Sequence, residues 1–190
     1  ARLLEPVAGW TVADVCAAPG TKTTHLAQLM ADHGRLLAFD PQPARLARVA
    51  EATARLGVTI VEPVEGAGET LAPRWRETCD AVLVDAPCSS LGVLRRNPDA
   101  KWRRQPDDLV TATARQRAIL AAAAGLVRLG GRLVYATCSL EPEENDDVVR
   151  AFRAGRPEFV ADTPAGGPVA ADDAGLVRCL PHRQRTDGVK

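Results

Sequence analysis

Two short runs place a thiol just beyond a stretch rich in β-forming residues: Ala81–Ser90 reads AVLVDAPCSS, and Tyr135–Leu140 reads YATCSL. A cysteine does chemistry as its thiolate, which needs partial exposure and a local field that lowers the thiol pKa. The bland reading of any cysteine is a small buried hydrophobe, and it suits Cys79 and Cys179. Cys88 and Cys138 differ, because both follow strand-like runs, and in a parallel sheet ligands gather beyond the strand ends. The five cysteines are odd in number and include no Cys-x-x-Cys pair. That argues against a disulfide framework or a zinc knuckle, and for free thiols in a reducing compartment with no metal.

A second cluster surrounds the turn DVCAAPGTKTT. It lacks the spacing of a Walker loop and of Gly-x-Gly-x-x-Gly. Its small residues Ala17, Ala18 and Gly20 still let backbone approach a ligand, and a helix N-terminus follows. Asp40 closes the run LLAFD, where an acid accepts hydrogen bonds from ribose hydroxyls; its plainer role is to open the turn DPQP. Together these features point to an adenosine-bearing ligand. Charge is balanced, 24 basic against 24 acidic residues, so global attraction to nucleic acid is not indicated. Locally, Leu94–Arg104 (LRRNPDAKWRR) holds five basic residues in eleven, with Trp102 among them. Such a run is by itself a solvated loop. Directly after Cys88, its Arg95, Arg96, Lys101, Arg103 and Arg104 become candidates for binding phosphates, with PHRQR (Pro181–Arg185) a weaker second.

The elements that must position these residues alternate. Strands are expected over Trp10–Ala18, Gly34–Asp40, Val58–Pro63, Cys79–Pro87 and Gly131–Ser139. Helices are expected from Thr21, from Pro43 to the stop at Gly57, from Pro106 with Asp107 and Asp108 to Gly130–Gly131, and from Pro142 with acids in its first turn. Short links and continuous apolar strands predict an α/β fold, an open, mostly parallel Rossmann-like sheet with helices on both faces. The 190 residues make one domain of ordinary globular composition, 46% hydrophobic and 25% charged. No apolar run reaches the roughly 20 residues of a membrane span. The opening ARLLEPVAGW, with no initiator Met and no signal pattern, reads as an excised domain.

With DVCAAPGTKT, the acid at Asp40, DAPCSSLGVLRRNPDAKWR, GGRLVYATCSLEPEEN and LPHRQRTDG in this order, the chain resembles, over almost its whole length, the catalytic domain of the RsmB/Sun family of RNA cytosine-5 methyltransferases. The resemblance implies a cytoplasmic enzyme that uses S-adenosylmethionine and acts on RNA, ribosomal RNA first and transfer RNA as the alternative. Cys138 then corresponds to the nucleophile that adds to carbon 6 of cytosine. This addition turns carbon 5, too weak a nucleophile alone, into an enamine carbon. Cys88 corresponds to the cysteine that assists product release, Asp85 to the acid on the cytosine edge, and Lys22 to a lysine reaching into the site. The cofactor side comprises Cys16, Ala17, Ala18, Pro19, Gly20, Thr21, Lys22, Asp40, Glu65 and Asp85.

Some positions depart from the family pattern. Thr21 stands where PGGKT has its second glycine and is expected to act as the helix N-cap. Glu65 is the acid nearest to an expected Asp after the third strand. RNA-binding segments that precede this domain in the family, and the last strand beyond TDGVK, lie outside residues 1–190, which are expected to form the catalytic domain alone. A DNA cytosine-5 methyltransferase would use the PC cysteine with a Glu-Asn-Val element, absent here. A non-enzymatic module would be expected to have lost its thiols, yet both cysteines and Asp85 are present.

Overall fold

The computed structural model describes residues 1–68, 70, 73–103, 105–162, 169, 171–172 and 175–184. They form two compact units, Ala1–Asp85 with Ala118–Tyr135, and Ala86–Arg117 with Ala136–Lys190.

In the first unit, β1 (Thr11–Asp14), β2 (Arg35–Asp40), β3 (Val61–Glu65), β4 (Cys79–Asp85) and β5 (Val127–Ala136) form one sheet in the order β3-β2-β1-β4-β5. The pairs β1–β2, β1–β4 and β2–β3 are parallel. Asp14 registers with Ala38 and with Leu83, and Asp40 with Glu65. Central strands covered on both faces need apolar side chains at every position, and Val12, Ala13, Leu36, Leu37, Ala81 and Val82 are all fully buried. On one face, α1 (Thr21–Leu29) sets Leu26 and Ala27 against Val12, Leu36 and Leu83. On the same face, α2 (Pro43–Leu56) packs Leu46 and Val49 against Ala17 and Ala38. Ile119, from the half of α4 (Pro106–Ala124) in this unit, approaches Gly68 beside Val15 on the other face. The sequence expectation of an open, parallel α/β sheet holds.

Boundaries move for local reasons. The third strand starts at Val61, three residues late, because the Asp32 carboxylate accepts the backbone N–H groups of Thr59 and Ile60. Pro63 inside β3 is tolerated because β3 is an edge strand. The helix expected to reach Gly130–Gly131 stops at Ala124. Gly125 breaks it, and pairing takes over at once: the Glu77 and Cys79 N–H groups donate to the Gly125 and Leu126 carbonyls at 2.9 Å each.

The second unit carries the loop after β4, a 3-10 turn at Leu91–Val93, α3 (Ala100–Arg103), the first part of α4, α5 (Asp146–Gly155) and α6 (Pro181–Gln184). The helix expected from Pro142 is interrupted. Pro142–Glu144 forms a 3-10 turn, Asn145 takes φ −124° and ψ −87°, and only then does α5 begin. Its first-turn acids are Asp146 and Asp147, not Glu143 and Glu144.

Candidate functional site

In the first unit the chain reverses its strand order at β1, which lies between β2 and β4. The crevice beyond such a switch point is where open α/β sheets bind ligands. The residues singled out in the sequence cluster at these strand ends: Cys16 after β1, Asp40 on β2, Glu65 on β3, Asp85 on β4, and Lys22 in the first turn of α1. Lys22 Nζ forms an ion pair with Asp85 Oδ2, so it is more than a surface lysine of a helix start. Asp40 takes the plainer of the two roles considered for it. Its buried Oδ1 accepts the Gln42 N–H at 3.0 Å, opening the turn, while Arg45 Nε lies 3.4 Å from Oδ2.

The expected N-cap at Thr21 is corrected. Gly20 caps α1, with φ +106°, and Thr21 is the first helical residue. A Cβ at Gly20 would lie 3.2 Å from Val49 Cα, so the close approach of α1 to α2 decides the residue type there. Ala17 is buried, Ala18 and Cys16 half-buried, and Pro19 and Glu65 exposed. Asp14, unremarked in the sequence, is fully buried beneath this turn. Thr23 Oγ1 donates to its Oδ2 at 2.8 Å, while Oδ1 has no hydrogen-bond partner among the described residues. Burial pushes its carboxyl up to about 6.

Small residues, a buried acid and an exposed acid on adjacent strands, and one orphaned carboxylate oxygen fit a ligand that brings vicinal hydroxyls and donors. S-adenosylmethionine is such a ligand.

The second unit holds the thiols. Cys88 Sγ and Cys138 Sγ are 3.0 Å apart, both half-buried. The Cys138 N–H donates to Cys88 Sγ at 3.3 Å, and Cys138 Sγ lies 3.4 Å from Ser90 Oγ. The hydrogen bond with Cys138, followed by burial, pushes the Cys88 thiol far above the ordinary cysteine range. Two sulfurs this close do not both ionise near neutrality, because a second negative charge would lie against the first. Ser90 sits at φ +63°, an unusual conformation for a side-chain-bearing residue.

Around the thiols runs a polar network whose members, Gln116 apart, stand in the two cysteine motifs but have no role assigned from sequence. Glu144, fully buried, accepts the Ser89 N–H at 2.8 Å and the Gln116 Nε2 amide at 2.9 Å on Oε1, and the Ser89 hydroxyl at 2.5 Å on Oε2. Gln116 Nε2 also donates to the Pro87 carbonyl at 3.0 Å. Asn145 Nδ2 donates to the carbonyls of Ser139 (3.1 Å) and Glu141 (2.7 Å), and its Oδ1 accepts the Thr137 hydroxyl at 2.7 Å. The hints in the sequence were the polar residues beside each cysteine and the run EEN that closes the Cys138 motif.

Arg95, Arg96 and Lys101 are exposed on the segment after Cys88, and Trp102 is 77% exposed with Lys101 Nζ 4.7 Å from its ring centre. Arg103 ends α3, while Arg104 and Arg185 lie outside the described residues. Cys79 is buried as expected; Cys179 is only half-buried, a correction to the buried-hydrophobe reading. A cavity of about 520 Å³ along α5, lined by Val149, Arg153, Phe159 and Arg178 among others, holds none of the residues singled out. No described helix is long and apolar enough to cross a membrane.

Residues 1–189 match the family model described as 16S rRNA methyltransferase RsmB/F. The chain is 40% identical over 195 residues to the probable ribosomal RNA small subunit methyltransferase B of Synechocystis sp., covering 99% of this chain. It is equally 40% identical, over 199 residues, to the probable ribosomal RNA small subunit methyltransferase B of Bacillus subtilis. It spans 43% of the length of each of these relatives. The crystal structure of NSun6 from Pyrococcus horikoshii with SFG is also similar, at TM-score 0.87 and 34% identity over 99% of this chain and 48% of that one.

Proposed function

The chain belongs to the 16S rRNA methyltransferase RsmB/F family, and on that premise we propose that residues 1–190 are the catalytic domain of a cytoplasmic enzyme that methylates carbon 5 of a cytosine in ribosomal RNA. S-adenosylmethionine, when bound, supplies an electrophilic methyl group. Asp40 and Glu65, with Ala17, Ala18 and Gly20, are the residues that would hold it. Lys22 and Asp85 are assigned to the cytosine edge, with Asp85 accepting or returning a ring proton. Arg95, Arg96, Lys101, Arg103 and Arg104 are assigned to the RNA backbone.

The contact of 3.0 Å between Cys88 and Cys138 carries the reading. Carbon 5 becomes nucleophilic only if a thiolate first adds at carbon 6, and the adduct must later be broken by removing the carbon-5 proton. Two thiols in contact supply both halves. Cys138 gives up its proton and attacks carbon 6, and Cys88, once it has lost its own proton, can take the carbon-5 proton next to the sulfur that leaves as the Cys138 thiolate. The absence of a Glu-Asn-Val element speaks against the DNA-methyltransferase assignment.

The two variants should therefore fail differently. Cys138→Ala is expected to show neither methyl transfer nor a covalent RNA adduct. Cys88→Ala is expected to methylate once and accumulate as a protein–RNA adduct on denaturing electrophoresis. An adduct from Cys138→Ala and none from Cys88→Ala would reverse the roles. Transfer RNA and ribosomal RNA compete as substrates in the same assay.

A further inference from the structure

Glu144 and Asn145 are consecutive residues, yet they grip different loops. Glu144 takes three hydrogen bonds on the Cys88 side, two from Ser89 and one from Gln116, which also ties down the Pro87 carbonyl. Asn145 takes its three on the Cys138 side, from Thr137 and to the Ser139 and Glu141 carbonyls. Ser89 follows Cys88, and Thr137 and Ser139 flank Cys138. The loops also touch directly, since Ser89 Oγ lies 3.2 Å from Ser139 Oγ. The two grips are separated by one peptide unit, whose Cα–Cα length is about 3.8 Å and does not stretch.

We infer that Glu144–Asn145 is a clamp that sets the spacing of the two sulfurs, with both residues acting as positioning residues. The irregular backbone at Asn145, which interrupts what the sequence predicts as one helix, is what turns these neighbouring side chains to opposite loops. Apolar packing alone would fix the loops less sharply. The walls of this site are polar, with Ser89, Gln116, Thr137, Ser139, Glu144 and Asn145 all buried. A buried acceptor taking three donors cannot be altered without leaving those donors unpaired in a dry setting. The catalytic consequence rests on the reading of Cys138 and Cys88 as the working thiols; the spacing itself does not.

The test uses diamide, which takes two protons and two electrons from two thiols to close a disulfide, as a ruler of sulfur proximity that needs no RNA and no cofactor. The full chain is expected to form a Cys88–Cys138 disulfide rapidly, read by a peptide mass lower by two hydrogens. Glu144→Gln places an amide N–H against existing donors and is expected to slow crosslinking about ten- to a hundredfold, as expected for the loss of hydrogen bonds to a charged group. The exchanged pair Glu144→Gln/Gln116→Glu restores one donor–acceptor match and should recover part of the rate. Ser89→Ala, milder and keeping the Ser89 N–H, should give an intermediate rate and serves if Glu144→Gln fails to fold. In methyl transfer the same variants should lose kcat with KM for RNA unchanged, a split that general destabilisation does not produce. Wild-type crosslinking in folded Glu144→Gln, or in Ser89→Ala if Glu144→Gln does not fold, overturns the clamp. Rapid crosslinking in a chain that methylates nothing leaves the clamp standing and counts against the proposed function instead.

Discussion

Asp14 shows how one residue carries tension between stability and function. Its carboxyl lies wholly inside the protein, one oxygen bonded to Thr23 and the other without a partner among the described residues, and burial raises its pKa to about 6. The raised folded-state value means that the native form binds a proton more tightly than the unfolded chain does. The stabilising protonated form is fully present below about pH 4 and is lost as pH rises through about 6. Asp14→Asn keeps an acceptor for Thr23 and never ionises. At pH 8 it should be more stable than the parent chain by on the order of 1–3 kcal/mol, and the gain should vanish near pH 4. Urea denaturation at the two pH values measures this, and an equal difference at both would remove Asp14 from the ionisable core. Nothing in the sequence marks this group, because a strand-end Asp looks the same whether its second oxygen meets solvent or a closed turn. Cys88 and Cys138 were legible because the two thiols follow two β runs at matching positions. Their mutual contact was not, since it depends on loops fixed by Glu144 and Asn145, which stand in the Cys138 motif but whose partners across the chain the motif does not show.

Among elements, the turn from β1 into α1 depends on packing against α2. Gly20 takes φ +106° and its missing Cβ leaves room for Val49, whereas Gly57 takes φ +68° at the end of α2 with nothing within 4 Å. The two glycines separate backbone strain from crowding. Gly57→Ala should cost only the left-handed penalty, about 1–2 kcal/mol. Gly20→Ala meets a less accessible φ and a backbone atom at 3.2 Å, and should cost about 3 kcal/mol. Thermal melts of the two variants compare them directly; equal losses would mean that α2 yields easily at Val49. A sequence shows residue types at a helix start but not the neighbouring helix, so Thr21 looked like the better cap. The same limit explains α4. Apolar residues continue past Ala124, but Gly125 breaks the helix and pairing with Glu77 and Cys79 takes over. Helix and strand alternation, by contrast, was readable along the chain because apolar runs of five to seven residues bounded by Gly, Pro and Asp leave few other arrangements.

At the scale of the whole molecule, charge balance hides a local asymmetry. With 24 basic and 24 acidic residues the chain has no net field to draw RNA in, yet Arg95, Arg96 and Lys101 are exposed together after the Cys88 loop. The division into two compact units was not visible in the sequence, which reads as one domain without an internal linker. The strand-end acids fall in one unit and the thiols with the basic segment in the other. Binding of a single-stranded RNA oligonucleotide should therefore depend on salt through the second unit. Each phosphate contact to a single strand releases counterions worth about 0.7 in the slope of log K against log salt. Replacing Arg95 and Arg96 with Ala should lower that slope by about 1.4. Arg55→Ala, on the exposed last turn of α2 in the first unit, should leave it unchanged. Fluorescence titrations from 50 to 200 mM salt, a range over which phosphate contacts change affinity strongly, resolve the difference. If the double variant keeps the parent slope, the basic run after Cys88 is a solvated face and the RNA backbone is held elsewhere. If Arg55→Ala lowers the slope as much, the attraction is spread over both units.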